Sequence, residues 1–212
     1  MGRGSSFYRR RRNDKIDYLL CCFVFRIEVR ITKSILLIVD LQRGFITPKT
    51  KKVIDVIENA INTLDFEVCV YSRFYNNEET SFSRILNWER FQSVEEQEIV
   101  LPIVDGNKIV SKDTYSAVTR DLKRIIEECK IERAYLCGID TDSCVLATAF
   151  ELFDNGVEPV IIIDGCASTG GDEYHHAAEL IMKRSFGKEN VNPLSCYIGG
   201  KKRKPHFLLL IC

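Results

Sequence analysis

Apolar and polar positions change between strand-like and helix-like spacing along most of the chain. Short strand-like segments occupy 35–39, 66–71, 108–111, 134–137 and 157–163, and the first is a continuous apolar run typical of a strand buried on both faces. Apolar residues recur at helical spacing in 53–64, 122–129, 145–153 and 172–185, and Val191 begins a sixth strand-like segment. This alternation predicts a single three-layer α/β domain, with a mostly parallel, Rossmann-like sheet of about six strands flanked by helices.

The segment 134–153 is the most informative part of this pattern. A strand ends at Gly138, a polar turn follows, and a helix begins around Cys144. In a first helical turn the free N–H groups and the helix dipole would lower a thiol's pKa and could hold an oxyanion. The alternative is that Cys144 is a buried apolar cysteine that only packs.

Polar residues follow several of the predicted strands. Asp40 follows the first strand, Lys112 the third, Cys144 the fourth and Asp164 the fifth. Ligands of doubly wound sheets bind beyond the carboxyl ends of the strands, so these side chains are expected to converge. A carboxylate, a lysine and a cysteine together suit acyl transfer. Each also has a plain structural interpretation, as a turn cap or a solvated edge residue.

Composition excludes some classes of function. The 212 residues are 45% hydrophobic and 28% charged with a formal net charge of +0, so bulk charge attracts neither nucleic acid nor an anionic membrane. The 9 cysteines form no regular framework, which favours reduced thiols and a cytoplasmic location. No apolar run approaches the roughly 18 residues of a membrane span.

The two ends differ from the rest of the chain. Residues 1–33 contain an Arg run and then an apolar run, which leaves open a signal peptide, a myristoylated start, a transit segment or an appended tail. Residues 199–212 are basic and then apolar. The predicted organisation is therefore an N-terminal extension over 1–33, one domain over 34–198 and a C-terminal tail over 199–212.

Other chemistries lack their motifs. A phosphatase loop would need an arginine where Phe150 stands, and there is no CxxC, GxGxxG or Walker A sequence. A papain-like pair of Cys144 with His175 or His176 stays open on these grounds alone.

Three motifs in order carry a family resemblance: Asp40-Leu41-Gln42 with Phe45, Lys112 followed by Tyr115-Ser116-Ala117, and residues 138–149 around Cys144. Together they resemble the isochorismatase-like cysteine hydrolases, a superfamily that includes nicotinamidases and N-carbamoylsarcosine amidases. The resemblance covers about residues 34–191.

The resemblance implies a catalytic triad of Asp40, Lys112 and Cys144. It also implies a cis peptide before Asp140 and an oxyanion hole made by the backbone N–H groups of Asp140 and Cys144. Members of the superfamily are commonly dimers or larger, so a homodimer or homotetramer is expected.

One departure from the resemblance concerns metal binding. Nicotinamidases carry an aspartate and two histidines after the second strand, whereas residues 71–82 here contain no histidine. We therefore expect a metal-free member that needs no cofactor. Phe45, Arg73 and Trp88 are the candidate walls of the substrate pocket, with Arg73 facing a substrate carboxylate.

The resulting hypothesis is a hydrolase that cleaves a small-molecule amide or related C–N bond through a thioester on Cys144. One alternative is a catalytically weak member that acts as a binding or scaffold module. Another is a vinyl-ether hydrolase acting on isochorismate. A low pKa of Cys144 would favour the enzyme, and an ordinary one the scaffold.

Overall fold

The computed structural model describes residues 32–198. The strands are β1 (Ser34–Val39), β2 (Val68–Phe74), β3 (Lys108–Lys112), β4 (Arg133–Ile139), β5 (Glu158–Ala167) and β6 (Val191–Asn192). They form one sheet in the order β3-β2-β1-β4-β5-β6, and every neighbouring pair is parallel. The predicted α/β fold with a parallel sheet of about six strands is confirmed.

Helices flank this sheet: α1 (Val53–Thr63), α2 (Ser81–Leu86), α3 (Val94–Gln97), α4 (Arg120–Cys129), α5 (Leu146–Asp154) and α6 (Asp172–Phe186). All six residues of β1 are buried, as expected for a central strand that carries an unbroken apolar run. Within residues 32–198, none of the helices combines the length and the apolar content needed to cross a bilayer. The predicted C-terminal tail and residues 1–31 of the predicted N-terminal extension lie outside the described residues.

The strand order reverses between β1 and β4. The chain runs outward from β1 through β2 to β3, crosses back to β4, and then continues to β5 and β6. The carboxyl ends of β1 and β4 therefore lie side by side, since Val39 pairs with Gly138. In an open parallel sheet this switch point is where a ligand crevice forms.

Two predicted strands end too early. The second strand extends past Tyr71 to Phe74, because residues 72–74 pair with β3 through Lys112. The fifth strand continues past Asp164 to Ala167, and a register shift against β4 accommodates the extra length. Asp164 therefore lies inside β5, and its expected position at a strand end is wrong. Its carboxylate accepts a hydrogen bond from the Leu194 N–H at 2.8 Å.

The junction after β4 forms the predicted elbow. Gly138 has φ +130°, and a Cβ there would lie 2.0 Å from the Val39 carbonyl oxygen, so only glycine fits. The Ile139–Asp140 peptide is cis, as the resemblance implies. A π-helical turn over Thr141–Val145 then leads into α5. This turn places Cys144 beside the end of β1.

Candidate active site

Three of the predicted side chains meet at the switch point. The Lys112 Nζ lies 2.7 Å from Asp40 Oδ2 and 3.5 Å from Cys144 Sγ. Lys112 reaches this position from the end of β3, and Nζ also donates to the backbone carbonyls of Thr114 and Tyr115 at 2.8 and 3.0 Å. Its ammonium therefore has a fixed position between the carboxylate and the thiol.

This ion pair is fully enclosed. The side chains of Asp40 and Lys112 are both 0% exposed, and Cys144 is 6% exposed. Burial is the largest single influence and opposes the charge on Lys112, but Asp40 and Cys144 together outweigh it, and the pKa of Lys112 lies above its ordinary value. Lys112 is consequently an ammonium ion at neutral pH.

The expected low pKa of Cys144 is wrong. Burial is the largest influence and raises the pKa of this thiol to about 12; the Asp40 charge adds to the rise, and Lys112 acts in the opposite direction. A helix start and one lysine do not compensate for removing the thiol from water. The resting site therefore holds a neutral thiol beside a carboxylate–ammonium pair.

A serine that the sequence analysis missed holds Asp40. Ser72 Oγ donates to Asp40 Oδ1 at 2.6 Å and accepts the Asp40 N–H at 3.0 Å. The signal in the sequence was a small polar residue at the end of an apolar strand. It was overlooked because β2 was predicted to end at Tyr71.

Both predicted oxyanion residues lie in the elbow. The Asp140 side chain accepts the N–H and the hydroxyl of Thr169 at 2.6 and 2.8 Å. Burial raises the pKa of Asp140, and the bonds from Thr169 oppose that rise. The side chain thus ties the elbow to the segment that follows β5. An oxyanion role for the N–H groups of Asp140 and Cys144 stays a prediction.

Neither candidate histidine is paired with Cys144 in the hydrogen bonds and ion pairs of residues 32–198. His175 Nδ1 lies 2.8 Å from Thr141 Oγ1, and His176 pairs with Glu179 at 3.2 Å. Burial and the nearby Lys52 charge lower the pKa of His175. His175 therefore supports the elbow from α6, and the geometry favours Asp40 over histidine as the partner of Cys144.

Two of the three predicted pocket residues lie in an aromatic cluster beside Lys112. The ring centre of Phe74 is 5.1 Å from Lys112 Nζ. Phe45 and Trp88 lie 6.4 and 5.9 Å from Phe74, and Phe91 contacts both of them. Phe74 and Phe91 had not been predicted, because apolar residues in a long loop do not show which of them face a site.

Arg73 does not join this cluster. Successive residues of a strand point to opposite faces, and Arg73 lies between Ser72 and Phe74, which both face the site. Its exposed guanidinium donates to Ser111 Oγ at 3.1 Å instead. Arg73 thus lies on the face of the sheet opposite to the Asp40–Lys112 pair, and its contact with a substrate carboxylate stays a prediction.

No group of three or more His, Cys, Asp or Glu side chains within residues 32–198 has the arrangement of a metal site. A cavity of about 400 Å³ lies at the start of α6 and is lined by Pro48, Lys49, Lys52 and residues 170–173. Cys144 is not among the residues that line this cavity.

The fold and this cluster place the protein among α/β proteins whose functional residues lie at the carboxyl ends of parallel strands. More particularly, the chain belongs to the isochorismatase domain family, which matches it over residues 34–188. This match confirms the family resemblance noted in the sequence.

Three solved structures with the same fold bear the names of hydrolases. An isochorismatase-like hydrolase from Alkaliphilus metalliredigens is 20% identical, with a TM-score of 0.68 over 78% of this chain and 97% of that one. N-carbamoylsarcosine amidase from Thermoplasma acidophilum is 22% identical, with a TM-score of 0.68 over 80% and 100%. Pyrazinamidase of Pyrococcus horikoshii, solved with zinc, is 25% identical, with a TM-score of 0.64 over 76% and 97%.

A curated relative matches a shorter segment. Isochorismatase domain-containing protein 2A from mouse is 33% identical over 63 residues, which are 30% of this chain and 31% of that protein. The match thus spans less than a third of the relative's length. It supports membership of the family and carries no activity over to this chain.

Proposed function

We propose that the protein is a cysteine-dependent hydrolase of a small-molecule amide or related C–N bond. The observation that carries this proposal is the position of Lys112 Nζ, 2.7 Å from Asp40 Oδ2 and 3.5 Å from Cys144 Sγ at the switch point of the sheet. A base, a cation and a nucleophile in contact are the groups that acyl transfer requires.

In the acylation step, Asp40 takes the proton of the Cys144 thiol as the sulfur attacks the acyl carbon. A hydrogen bond between this thiol and Asp40 is among the interactions that act on Cys144. The tetrahedral oxyanion accepts hydrogen bonds from the backbone N–H groups of Asp140 and Cys144. Collapse breaks the C–N bond, and the leaving amine takes the proton from Asp40.

In the deacylation step, water attacks the thioester while Asp40 accepts a proton from it. Collapse breaks the C–S bond and gives a carboxylic acid, and the proton on Asp40 returns to the Cys144 sulfur. The cycle ends with the same thiol, carboxylate and ammonium that it began with, so it requires no cofactor.

The raised pKa of Cys144 is compatible with this cycle because the proton has a nearby acceptor. Transfer from Cys144 to Asp40 converts a thiol–carboxylate pair into a thiolate–acid pair, and the total charge beside Lys112 does not change. The ammonium, 3.5 Å from the sulfur, then stabilises the thiolate. Lys112 thus acts during proton transfer and does not ionise the thiol at rest.

The aromatic cluster supports a compact substrate with some apolar surface. Phe45 and Trp88 offer apolar surface beside Lys112 through their contacts with Phe74. The names of two structural neighbours, a pyrazinamidase and an N-carbamoylsarcosine amidase, describe enzymes that cleave amide-type C–N bonds. Small amides are therefore the first substrates to test.

The direct test measures ammonia release from nicotinamide, pyrazinamide and N-carbamoylsarcosine by the full chain. Cys144→Ala should abolish turnover of the substrate that reacts. Cys166→Ala is the matched control, because it removes another buried thiol that has no contact with the Asp40–Lys112 pair. Turnover that survives Cys144→Ala would contradict the cysteine mechanism.

A binding module is the second candidate, and it is favoured by the raised pKa and the 6% exposure of Cys144. A probe that needs no native substrate separates the two candidates. p-Nitrophenyl acetate should transfer an acetyl group to Cys144 of an enzyme, as seen by mass spectrometry of the Cys144 peptide. A module would stay unmodified at this residue under conditions that acetylate exposed thiols.

We also propose that residues 34–198 form the hydrolase domain of a cytoplasmic homodimer or homotetramer. The family resemblance supports self-association, and the cysteine content supports a reducing compartment. Light scattering coupled to size-exclusion chromatography measures the molecular mass in solution. A mass of one chain, 24.4 kDa, would contradict the oligomer.

A further inference from the structure

Ser72 is a buried serine whose hydroxyl makes two hydrogen bonds to the same residue, Asp40. It lies on β2 next to the end of β1 and is 1% exposed. Its Oγ donates to Asp40 Oδ1 at 2.6 Å and accepts the Asp40 N–H at 3.0 Å. One hydroxyl therefore fixes both the backbone and the carboxylate of Asp40.

Asp40 needs such an anchor because its backbone leaves the strand. Its φ is +50°, an uncommon conformation for a residue other than glycine. The turn takes the Asp40 N–H out of the sheet's hydrogen-bond ladder, and Ser72 Oγ accepts it. An N–H left unpaired in this buried position would be costly.

We propose that Ser72 is a positioning residue that presents Asp40 as the base of the reaction, an inference that rests on the proposed function. The two oxygens of a carboxylate are chemically equivalent until their neighbours differ. Ser72 occupies Oδ1, so Oδ2 is the oxygen that faces Lys112 at 2.7 Å. Without Ser72 the carboxylate could rotate away from this arrangement.

If Ser72 only stabilised the fold, removing another buried serine hydroxyl should have the same effect on the reaction. The chain offers such a serine as a matched control. Ser34 is also a buried serine beside β2; it is 7% exposed, and its Oγ donates to the Asp65 carbonyl at 3.1 Å. It lies at the opposite end of β1 from Asp40. Ser34→Ala removes one buried hydroxyl, as Ser72→Ala does, without touching the site.

The experiment follows acetylation of Cys144 by p-nitrophenyl acetate in the full chain. Ser72→Ala should lower the maximal acylation rate roughly 10- to 100-fold, the effect of losing a hydrogen bond to a charged group, with little change in the half-saturating concentration. Ser72→Thr keeps the hydroxyl and should restore the rate.

The outcomes separate this inference from the proposed function. Acetylation that depends on Cys144 but is the same in wild type, Ser72→Ala and Ser34→Ala would overturn the role of Ser72 and leave the proposed function standing. Equal rate losses in Ser72→Ala and Ser34→Ala, or a rate that Ser72→Thr does not restore, would show a structural effect only and would also overturn it. A wild-type chain whose Cys144 is not acetylated would overturn the proposed function and this inference together.

Discussion

Two buried cysteines of this protein look alike until their neighbours are compared. Burial is the largest influence on both Cys144, after β4, and Cys166, on β5, and it raises the pKa of each thiol to about 12. Cys166 Sγ lies 3.3 Å from the Ile162 carbonyl oxygen within its own strand. Cys144 Sγ lies 3.5 Å from the Lys112 ammonium.

The difference teaches that the acidity of a resting thiol does not identify this site. Both thiols are held neutral by the cost of placing a charge in a buried position. Of the two thiols, Cys144 alone lies beside the Asp40–Lys112 ion pair, which in the proposed mechanism takes its proton and stabilises the resulting sulfur anion. The environment of the proton acceptor therefore distinguishes a candidate nucleophile from a packing residue.

The largest expected effect comes from removing one half of the ion pair. Lys112→Met should lower the free energy of unfolding by about 3–5 kcal/mol, because it leaves the Asp40 charge buried and unpaired. Cys166→Ala should cost about 1 kcal/mol, since it removes one atom from the core. Urea unfolding can be followed through the fluorescence of Trp88, the single tryptophan of the chain.

The control for this prediction removes both charges. Asp40→Asn combined with Lys112→Met should be more stable than Lys112→Met alone, because no unpaired charge remains buried. If Lys112→Met unfolds at the same urea concentration as the wild type, the pair is not the buried ion pair described above, and the contrast with Cys166 fails.

A second prediction compares the reactivity of the two thiols directly. Iodoacetamide should modify Cys144 at least about tenfold faster than Cys166, because Cys144 has a proton acceptor beside it and is slightly more exposed. Peptide mapping by mass spectrometry of the folded protein gives both rates from one sample. Exposed Cys196 serves as the internal reference and should react first. Equal rates at Cys144 and Cys166 would show that the charged neighbours do not activate the thiol.

The smallest expected effect concerns alkaline pH, where the two cysteines should behave alike. A thiol whose pKa rises from 9.0 to about 12 on folding stabilises the folded chain below pH 9, and this contribution is lost as the pH rises from 9 to 12. Stability should therefore fall above pH 9. Cys144→Ala and Cys166→Ala should each reduce the fall, by on the order of 1 kcal/mol at pH 10.

Urea midpoints measured between about pH 8 and pH 10 check this prediction. A fall that neither substitution reduces would mean that the two thiols ionise as easily in the folded chain as in the unfolded one. If only one of the two substitutions reduces the fall in stability, burial does not raise the pKa of both thiols equally.

Much of the architecture was readable in the sequence. Continuous apolar runs and helical stripes gave the parallel sheet, because strands covered on both faces cannot carry polar side chains in their interiors. Gly138 marked the elbow, and Asp40 and Lys112 stood out as charged residues directly after or ending apolar runs. These features depend on local chemistry, which a sequence states directly.

The arrangement within the site depended on the fold. Ser72 and Arg73 are neighbours in sequence, yet only Ser72 reaches Asp40, because adjacent strand residues face opposite sides and the end of β2 is fixed by its pairing with β3. The protonation of Cys144 was likewise undecided until its burial was known, since desolvation depends on every segment that packs around the sulfur. The sequence by itself determined which chemical groups the site contains, and the tertiary structure decided which of them touch and which carry charge.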